Sequence, residues 1–144
     1  MPLKTSVDSL VRVSNYRLDE AREELLQRKG FLQRMEEAVE ALDLALERER
    51  AFVQSQPEMT VTFPAYIERY KQERAEALER VALAQQAVDE AQQIVRDFFL
   101  ELKKYEEAQK AERERLQREL DLKEQIEMDE MGTQLHRRAS RSRQ

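Results

Sequence analysis

Helix-breaking residues are almost absent from this sequence, and their placement constrains the fold more than any other feature. Only 2 of the 144 residues are glycine and 3 are proline, too few for the many turns of a β-sandwich or a compact α/β domain. Pro57 and Pro64 bracket one short segment near the middle, and neither long stretch beside it contains a proline. The chain is therefore predicted to form two long helices joined by one turn.

Hydrophobic periodicity favours helices over disorder, although 38% of the residues are charged. At positions that alternate by three and four residues, ten of thirteen are apolar in the first stretch and eleven of twelve in the second. Random placement of the apolar residues gives about half as many. The first seam is Val11, Ser14, Leu18, Ala21, Leu25, Arg28, Leu32, Met35, Val39, Leu42, Leu46, Glu49 and Val53. The second is Ile67, Tyr70, Arg74, Ala77, Val81, Ala84, Val88, Ala91, Val95, Phe98, Leu102 and Tyr105. Beside the first seam, the apolar stripe is predicted to be widened by Leu26, Phe31, Ala38, Ala45 and Phe52.

Local capping signals set the predicted boundaries. Thr5 and Asp8 have the spacing of a capping box, which starts helix one at about residue 5 and lets it run to about 54. After a turn at about 55–63, Thr62 is the predicted N-cap of helix two and Pro64 lies in its first turn. Helix two is predicted to end at about 131, because Gly132 suits the position after a helix end, and 132–144 is predicted to be a flexible basic tail. The fold class is all-α: a single domain over 1–131, folded as a long antiparallel two-helix coiled-coil hairpin.

Folding the chain at the central turn predicts a register in which paired residue numbers sum to about 118. The polar residues of the seams then meet opposite charges: Arg28 with Glu90, Glu49 with Arg69, and Arg74 with Asp43 and Glu47. In this register Thr5 meets about residue 113, so 114–131 extends beyond its partner as an unpaired helical segment.

No residue pattern indicates catalysis, a cofactor or a metal site. The sequence has no cysteine, and its single histidine, His136, is interpreted as a solvated residue of the basic tail. Gly30 and Gly132 stand alone, so there is no glycine-rich phosphate loop. Acidic pairs recur throughout both helices and are interpreted as solvated faces. The chain is therefore expected to be no enzyme, with no catalytic, cofactor-binding or metal-binding residues.

Membrane insertion and nucleic-acid binding are both disfavoured. The longest apolar run, residues 81–84, is far short of the roughly 20 residues of a membrane helix, and the first eight residues have no secretory signal. The tail from 133 onward carries four arginines and no acid, so with a net charge of −5 the remainder carries −9. Residues before 133 are therefore expected to repel phosphate groups, and only the basic tail could bind nucleic acid.

Aromatic residues gather where helix two begins. Phe63, Tyr66 and Tyr70 lie within its first two turns, and Phe52 lies near the end of helix one. These side chains either pack against each other and hold the two helix ends together at the turn, or form an exposed contact surface. The second interpretation is reasonable because aromatic residues commonly anchor interfaces. Spacing alone leaves both interpretations open.

Four short segments stand out in the sequence: Leu-Asp-Glu-Ala at Leu18–Ala21, Tyr66–Tyr70 after the central turn, Leu102-Lys103-Lys104, and the ending Met128-Asp129-Glu130-Met131 before a basic terminus. Together these segments resemble the flagellar export protein family FliJ. The resemblance covers nearly the whole chain. The resemblance implies a non-catalytic antiparallel coiled coil, similar to the γ-subunit of rotary ATPases, that acts as a monomeric stalk in flagellar type III protein export and so in flagellum biogenesis and chemotaxis.

The same resemblance implies partners and their contact residues. The expected partners are a hexameric export ATPase, whose assembly and activity the stalk promotes, the cytoplasmic domain of the export gate, and export chaperones; the location is cytoplasmic, peripheral at the inner membrane. The implied gate contacts are Tyr66, Tyr70, Glu73 and Ala77, of which Glu73 departs from a hydrophobic contact face. The implied ATPase contacts are Arg12, Arg17, Arg22, Arg113, Arg115 and Arg118, and the implied chaperone contacts are Leu116, Leu120 and Ile126. Two alternatives stay open: a homodimeric coiled-coil scaffold and a stalk of a virulence type III system.

Overall fold

The structure is a computed structural model that describes residues 3–143, and it is all-α over that range. Helix α1 spans Asp8–Ser55, a short 3-10 helix spans Pro57–Thr62, and helix α2 spans Phe63–Ser142. The described residues contain no β-strand. None of the described helices has a stretch that is both long and apolar enough to cross a membrane.

The start of α1 confirms the predicted pairing of Thr5 with Asp8. The backbone N–H of Thr5 donates to Asp8 Oδ2 over 3.0 Å, and the Thr5 hydroxyl lies 2.7 Å from Asp8 Oδ1. The same hydroxyl accepts the backbone N–H of Val7. These bonds satisfy donors that the first turn of a helix leaves without intrahelical partners. Regular helix begins at Asp8, three residues after the predicted start.

The connection between the helices is ordered as a 3-10 helix. The Thr60 hydroxyl donates to the carbonyl of Pro57 over 2.7 Å, and the Thr62 hydroxyl donates to the carbonyl of Met59 over 2.9 Å. Thr62, the predicted N-cap, therefore points its hydroxyl back into the connection. Pro64 is the second residue of α2, as predicted, where the missing N–H removes no helical hydrogen bond.

The chain divides into two compact units, each described by itself. The central unit is Arg17–Phe99, and the terminal unit comprises 3–16 and 100–143 of the described residues. α1 and α2 each contribute residues to both units.

The core of the central unit lies on the predicted seams. Its buried residues are Leu18, Ala21, Val39 and Leu46 from α1 and Ala77, Ala84, Val88 and Ala91 from α2. Alanines on α2 leave room for the larger side chains of α1 and permit a close approach of the two helices. The other predicted seam positions of this unit are half-buried. The predicted widening of the stripe is wrong for Leu26, Phe31 and Phe52, which are exposed, because a single partner helix covers only a narrow seam.

The terminal unit buries little besides Ser14 and Leu102, which are both predicted seam residues. From residue 117 to 143 every described side chain is exposed. α2 nevertheless continues through Gly132 to Ser142, so the predicted helix end at 131 and the role of Gly132 are wrong; the predicted tail is helical over residues 132–142, and Gln144 lies outside the described residues. Gly132 has no positive φ, and a glycine in helical conformation costs only about 1 kcal/mol, which does not by itself end a helix.

Candidate partner-binding surfaces

A polar cluster of three side chains lies beside the seam of the central unit. Asp43 Oδ1 accepts hydrogen bonds from the hydroxyl of Tyr70 and from Nε of Arg74, the latter over 3.0 Å. The bond from Arg74 and then that from Tyr70 hold the pKa of Asp43 below its ordinary value, and the bond to Asp43 raises the pKa of the Tyr70 hydroxyl. The predicted approach of Arg74 to Asp43 is confirmed.

The other two predicted charge pairs of this unit are wrong. Arg28 donates to Glu24 Oε1 and to the carbonyl of Ala87, both over 2.9 Å, instead of meeting Glu90. Arg69 lies over the ring of Tyr66, with 5.7 Å between guanidinium carbon and ring centroid, instead of meeting Glu49. The observed partners have residue-number sums of 115, 113 and 117, against the predicted 118. The sums lie one to five below the predicted value, which is up to slightly more than one helical turn, and this difference is enough to change which charges meet.

A groove at the start of α2 brings together three of the four implied gate contacts. Tyr66, Tyr70 and Glu73 line it, together with Leu42, Ala45 and Arg69, and its volume is about 330 Å³. We call this surface the Tyr66 groove. Within it, the Tyr66 ring stacks on the Phe63 ring with centroids 6.3 Å apart. The Tyr66 ring therefore packs on a neighbour in its own helix and keeps part of its surface exposed.

Ala77, the fourth implied gate contact, requires a correction. It is 2% exposed, because its methyl group faces the seam of the central unit. A buried methyl group cannot touch a partner, so Ala77 supports the Tyr66 groove from behind at most.

A second polar cluster, the Asp8 cluster, lies in the terminal unit. Gln109 Nε2 donates to Asp8 Oδ1 over 2.7 Å, and Arg113 Nη2 lies 3.5 Å from the same oxygen. Ser6 donates through its hydroxyl to the Glu112 carboxylate. Hydrogen bonds from the Thr5 hydroxyl and then from Gln109 lower the pKa of Asp8 to about 2. The cluster confirms the prediction that pairing reaches about residue 113.

The six implied ATPase contacts differ in how free their guanidinium groups are. Arg113 is the most engaged, since its Nε donates to the carbonyl of Leu3 over 3.1 Å in addition to its contact with Asp8. Arg22 and Arg115 pair with nearby acids on their own helices, Asp19 and Glu119. The remaining three are exposed: Arg12, Arg17 and Arg118. Arg17 and Arg22 belong to the central unit and the other four to the terminal unit.

The implied chaperone contacts lie where α2 becomes unpaired. Leu116 is half-buried, and Leu120 and Ile126 are exposed. Hydrogen bonds recorded beyond residue 116, such as Gln117 to Asp121 and Thr133 to Asp129, join residues no more than four positions apart. The predicted unpaired segment is therefore present in the terminal unit, and it is longer than predicted because α2 runs to Ser142.

One apolar surface of the central unit was not anticipated as a site. Phe31, Arg80, Leu83, Ala84 and Ala87 line a shallow depression of about 240 Å³ whose surface is almost wholly apolar. We call it the Phe31 patch. Its sequence signal is weak: Leu83 is an apolar residue outside the seam, and such residues are common on helix surfaces.

Among residues 3–143, no group of histidine, aspartate and glutamate side chains is arranged to hold a metal ion. Comparison with known proteins adds no assignment: no protein-family model, no curated protein and no solved structure matches the chain. The resemblance to the FliJ family therefore rests on the residues quoted above, and the function is argued from the exposed surfaces.

Proposed function

We propose that this chain is a non-catalytic stalk of the flagellar type III protein-export apparatus. In this role it couples the hexameric export ATPase to the export gate, promotes assembly of the ATPase, and escorts export chaperones. We further propose that its helices pack as an antiparallel coiled coil and that it acts as a monomer at the cytoplasmic face of the inner membrane. The observation that carries the proposal is the long, fully exposed end of α2, residues 117–142, which follows directly after the Asp8 cluster.

An exposed helical end of this kind favours a partner-binding role. A single helix in water gains no tertiary packing, so its apolar residues are available to another protein. Leu120, Ile126 and Met131 all have more than two fifths of their surface exposed. In the stalk role, these side chains contact chaperones, while the dense charges around them keep the segment hydrated.

Arginines next to the Asp8 cluster are the proposed contacts to the ATPase. Arg115 and Arg118 are exposed on α2, and Arg12 is exposed on α1, all within the terminal unit. A guanidinium offers several donors in a planar fork and pairs well with carboxylates of a partner. Arg113 has a different proposed role, since its contacts with Leu3 and Asp8 hold the chain start against α2.

The ATPase role is tested by hydrolysis measurements with the export ATPase of the same organism. The purified chain is expected to raise the ATPase rate. Reversing two proposed contacts, Arg115→Glu with Arg118→Glu, is expected to abolish the stimulation. The matched control reverses two exposed arginines of the central unit, Arg48→Glu with Arg96→Glu, and is expected to retain it. Absence of stimulation by the unaltered chain, or equal loss in both variants, would refute the proposed role.

The gate contact is tested at the Tyr66 groove. Tyr66→Ala removes a partly exposed ring and is expected to weaken binding to the cytoplasmic domain of the gate, with unchanged helicity by circular dichroism. Tyr70→Phe removes only the hydroxyl that bonds Asp43, and it serves as a control for the polar cluster behind the groove. Unchanged binding by Tyr66→Ala, or a loss of helicity, would show that the ring is not a gate contact.

Sedimentation separates the stalk from the homodimeric scaffold. A mass of 17.1 kDa that does not change with concentration agrees with the monomeric stalk, and a stable mass of twice that value agrees with the scaffold.

A further inference from the structure

The Phe31 patch combines large exposed apolar side chains with two arginines that form no salt bridge among the described residues. Phe31 is 47% exposed and Leu83 is 66% exposed, and both line the same depression of the central unit. Ile94, 44% exposed, lies seven residues after Ala87 and so continues the same side of α2. Contiguous exposed apolar surface with a polar rim is typical of a protein interaction site.

Two arginines lie at this surface. The Arg34 guanidinium carbon lies 5.8 Å from the centroid of the Phe31 ring, and Arg80 lines the depression itself. Among the described residues, neither arginine takes part in any of the salt bridges. Glu76, one turn before Arg80, instead accepts a hydrogen bond from Gln72. The chain has more acidic residues (30) than basic residues (25), yet these two guanidinium groups form no salt bridge among the described residues. Because they lie beside an apolar surface, they are complementary to carboxylates of another molecule.

We propose that the Phe31 patch binds an acidic amphipathic helix of another protein. The apolar face of that helix packs on Phe31, Leu83 and Ile94, and its flanking carboxylates pair with Arg34 and Arg80. Aromatic residues and arginines are the residue types that most often dominate interface energies. A groove between two helices is a standard receptor for the apolar stripe of a third. The patch is distinct from the Tyr66 groove, and the proposal does not depend on the stalk function.

Nucleic acid and a second copy fit the surface less well. The phosphates of a nucleic acid could pair with the two arginines, but a nucleic acid has little apolar surface to cover Phe31, Leu83 and Ile94. A second copy would bring a net charge of −5, but it would also bring the same two arginines to the interface. An acidic helix satisfies both the apolar surface and the charges.

The test uses the full chain and two synthetic peptides. Each peptide is a 21-residue helix of three heptads with leucine at positions a and d; one carries glutamate at the flanking positions e and g, and the other carries lysine there. Such a helix is about 31 Å long and covers the stretch from Leu83 to Ile94. The acidic peptide is expected to bind saturably by fluorescence anisotropy, and Phe31→Ser with Leu83→Ser is expected to weaken binding on the order of tenfold or more. The matched apolar control, Leu26→Ser with Leu44→Ser, alters two exposed leucines outside the patch and is expected to leave binding unchanged.

Charge reversal gives the second, independent readout. Arg34→Glu with Arg80→Glu is expected to invert the preference, so that the lysine peptide binds more tightly than the glutamate peptide. Arg48→Glu with Arg96→Glu changes the net charge equally and is expected to keep the original preference. The proposal is overturned if the acidic peptide does not bind, if the apolar control loses as much affinity as the patch variant, or if both reversals act alike. It is also overturned if the unaltered chain sediments as a dimer and the Phe31→Ser, Leu83→Ser variant sediments as a monomer. The patch would then bind a second copy of this chain.

Discussion

Leucines only two positions apart have very different environments in this chain. Leu46 is 8% exposed on the seam of the central unit, and Leu44 is 57% exposed on the outer side of the same helix. Because burial is what gives an aliphatic side chain its stabilising effect, residues of one type are not interchangeable along α1.

Leu46→Ala is therefore expected to lower the free energy of unfolding by about 2–4 kcal/mol, through lost burial and the cavity left behind. Leu44→Ala, with identical chemistry, is expected to change it by less than about 0.5 kcal/mol. Chemical denaturation of both variants checks the difference. Equal effects would mean that the seam does not pass through Leu46.

A carboxylate also depends on its neighbours, and Asp8 is the clearest case. Its pKa is lowered to about 2, from an ordinary value of 3.8, by hydrogen bonds from Thr5 and Gln109. A group with a lowered folded-state pKa stabilises the fold above its unfolded-state pKa, and this contribution is lost as the pH falls toward the folded-state value. The Asp8 cluster is therefore expected to weaken between about pH 4 and pH 2.

The carboxyl carbon of Asp8, followed by NMR, is expected to titrate well below the ordinary aspartate pKa of 3.8. Gln109→Ala removes one of the two main donors and is expected to move the titration of Asp8 upward. An ordinary titration of Asp8 in the unaltered chain would contradict the hydrogen bonding of the cluster.

At the scale of helices, the lack of breakers matters more than any single contact. α2 is 80 residues long and contains one glycine, Gly132. A methyl group at this position would have no atom within 4 Å apart from the nearby backbone of its own helix. Gly132→Ala is therefore expected to stabilise this part of α2 by about 1 kcal/mol, from helix propensity alone. Slower amide hydrogen exchange around residue 132 checks this, and Gly132→Pro is expected to speed exchange there. No response to either change would mean that residues near 132 are not helical in solution.

At the scale of the whole chain, stabilising contacts are unevenly distributed along the sequence. Buried residues are found between Ser14 and Leu102, and every described side chain after Leu116 is exposed. Deletion of 120–144 keeps the Arg115–Glu119 pair, and the described side chains that it removes are all exposed. The free energy of unfolding is expected to change by less than about 0.5 kcal/mol, while far-UV ellipticity falls in proportion to the helix removed. A large loss of stability would show that the exposed end packs on the rest of the chain.

Three of the residues that line the Tyr66 groove were predicted from the sequence as partner contacts, whereas those of the Phe31 patch were not. The family resemblance implied Tyr66, Tyr70 and Glu73 as contacts to one partner, and the Tyr66 groove does bring these three side chains together. Ala77 was implied by the same resemblance but is buried, as its position on the predicted seam of α2 indicates. Arg34, Arg80 and Leu83 could not be grouped beforehand, since they come from two helices and meet only in one register.

The amino-acid sequence alone determines the helices, the seams and the cap at Asp8, because periodicity, proline placement and capping act between residues a few positions apart. It does not determine the end of α2, where a weak local signal at Gly132 is outweighed by good helix-forming residues on both sides. The pairing of the two helices is decided only by packing. The residue-number sums of observed partners lie one to five below the predicted 118, so Arg28 bonds the Ala87 carbonyl instead of Glu90, while Arg74 still meets Asp43. Such pairings depend on how side chains from two distant stretches fit against each other, and no local pattern contains that fit.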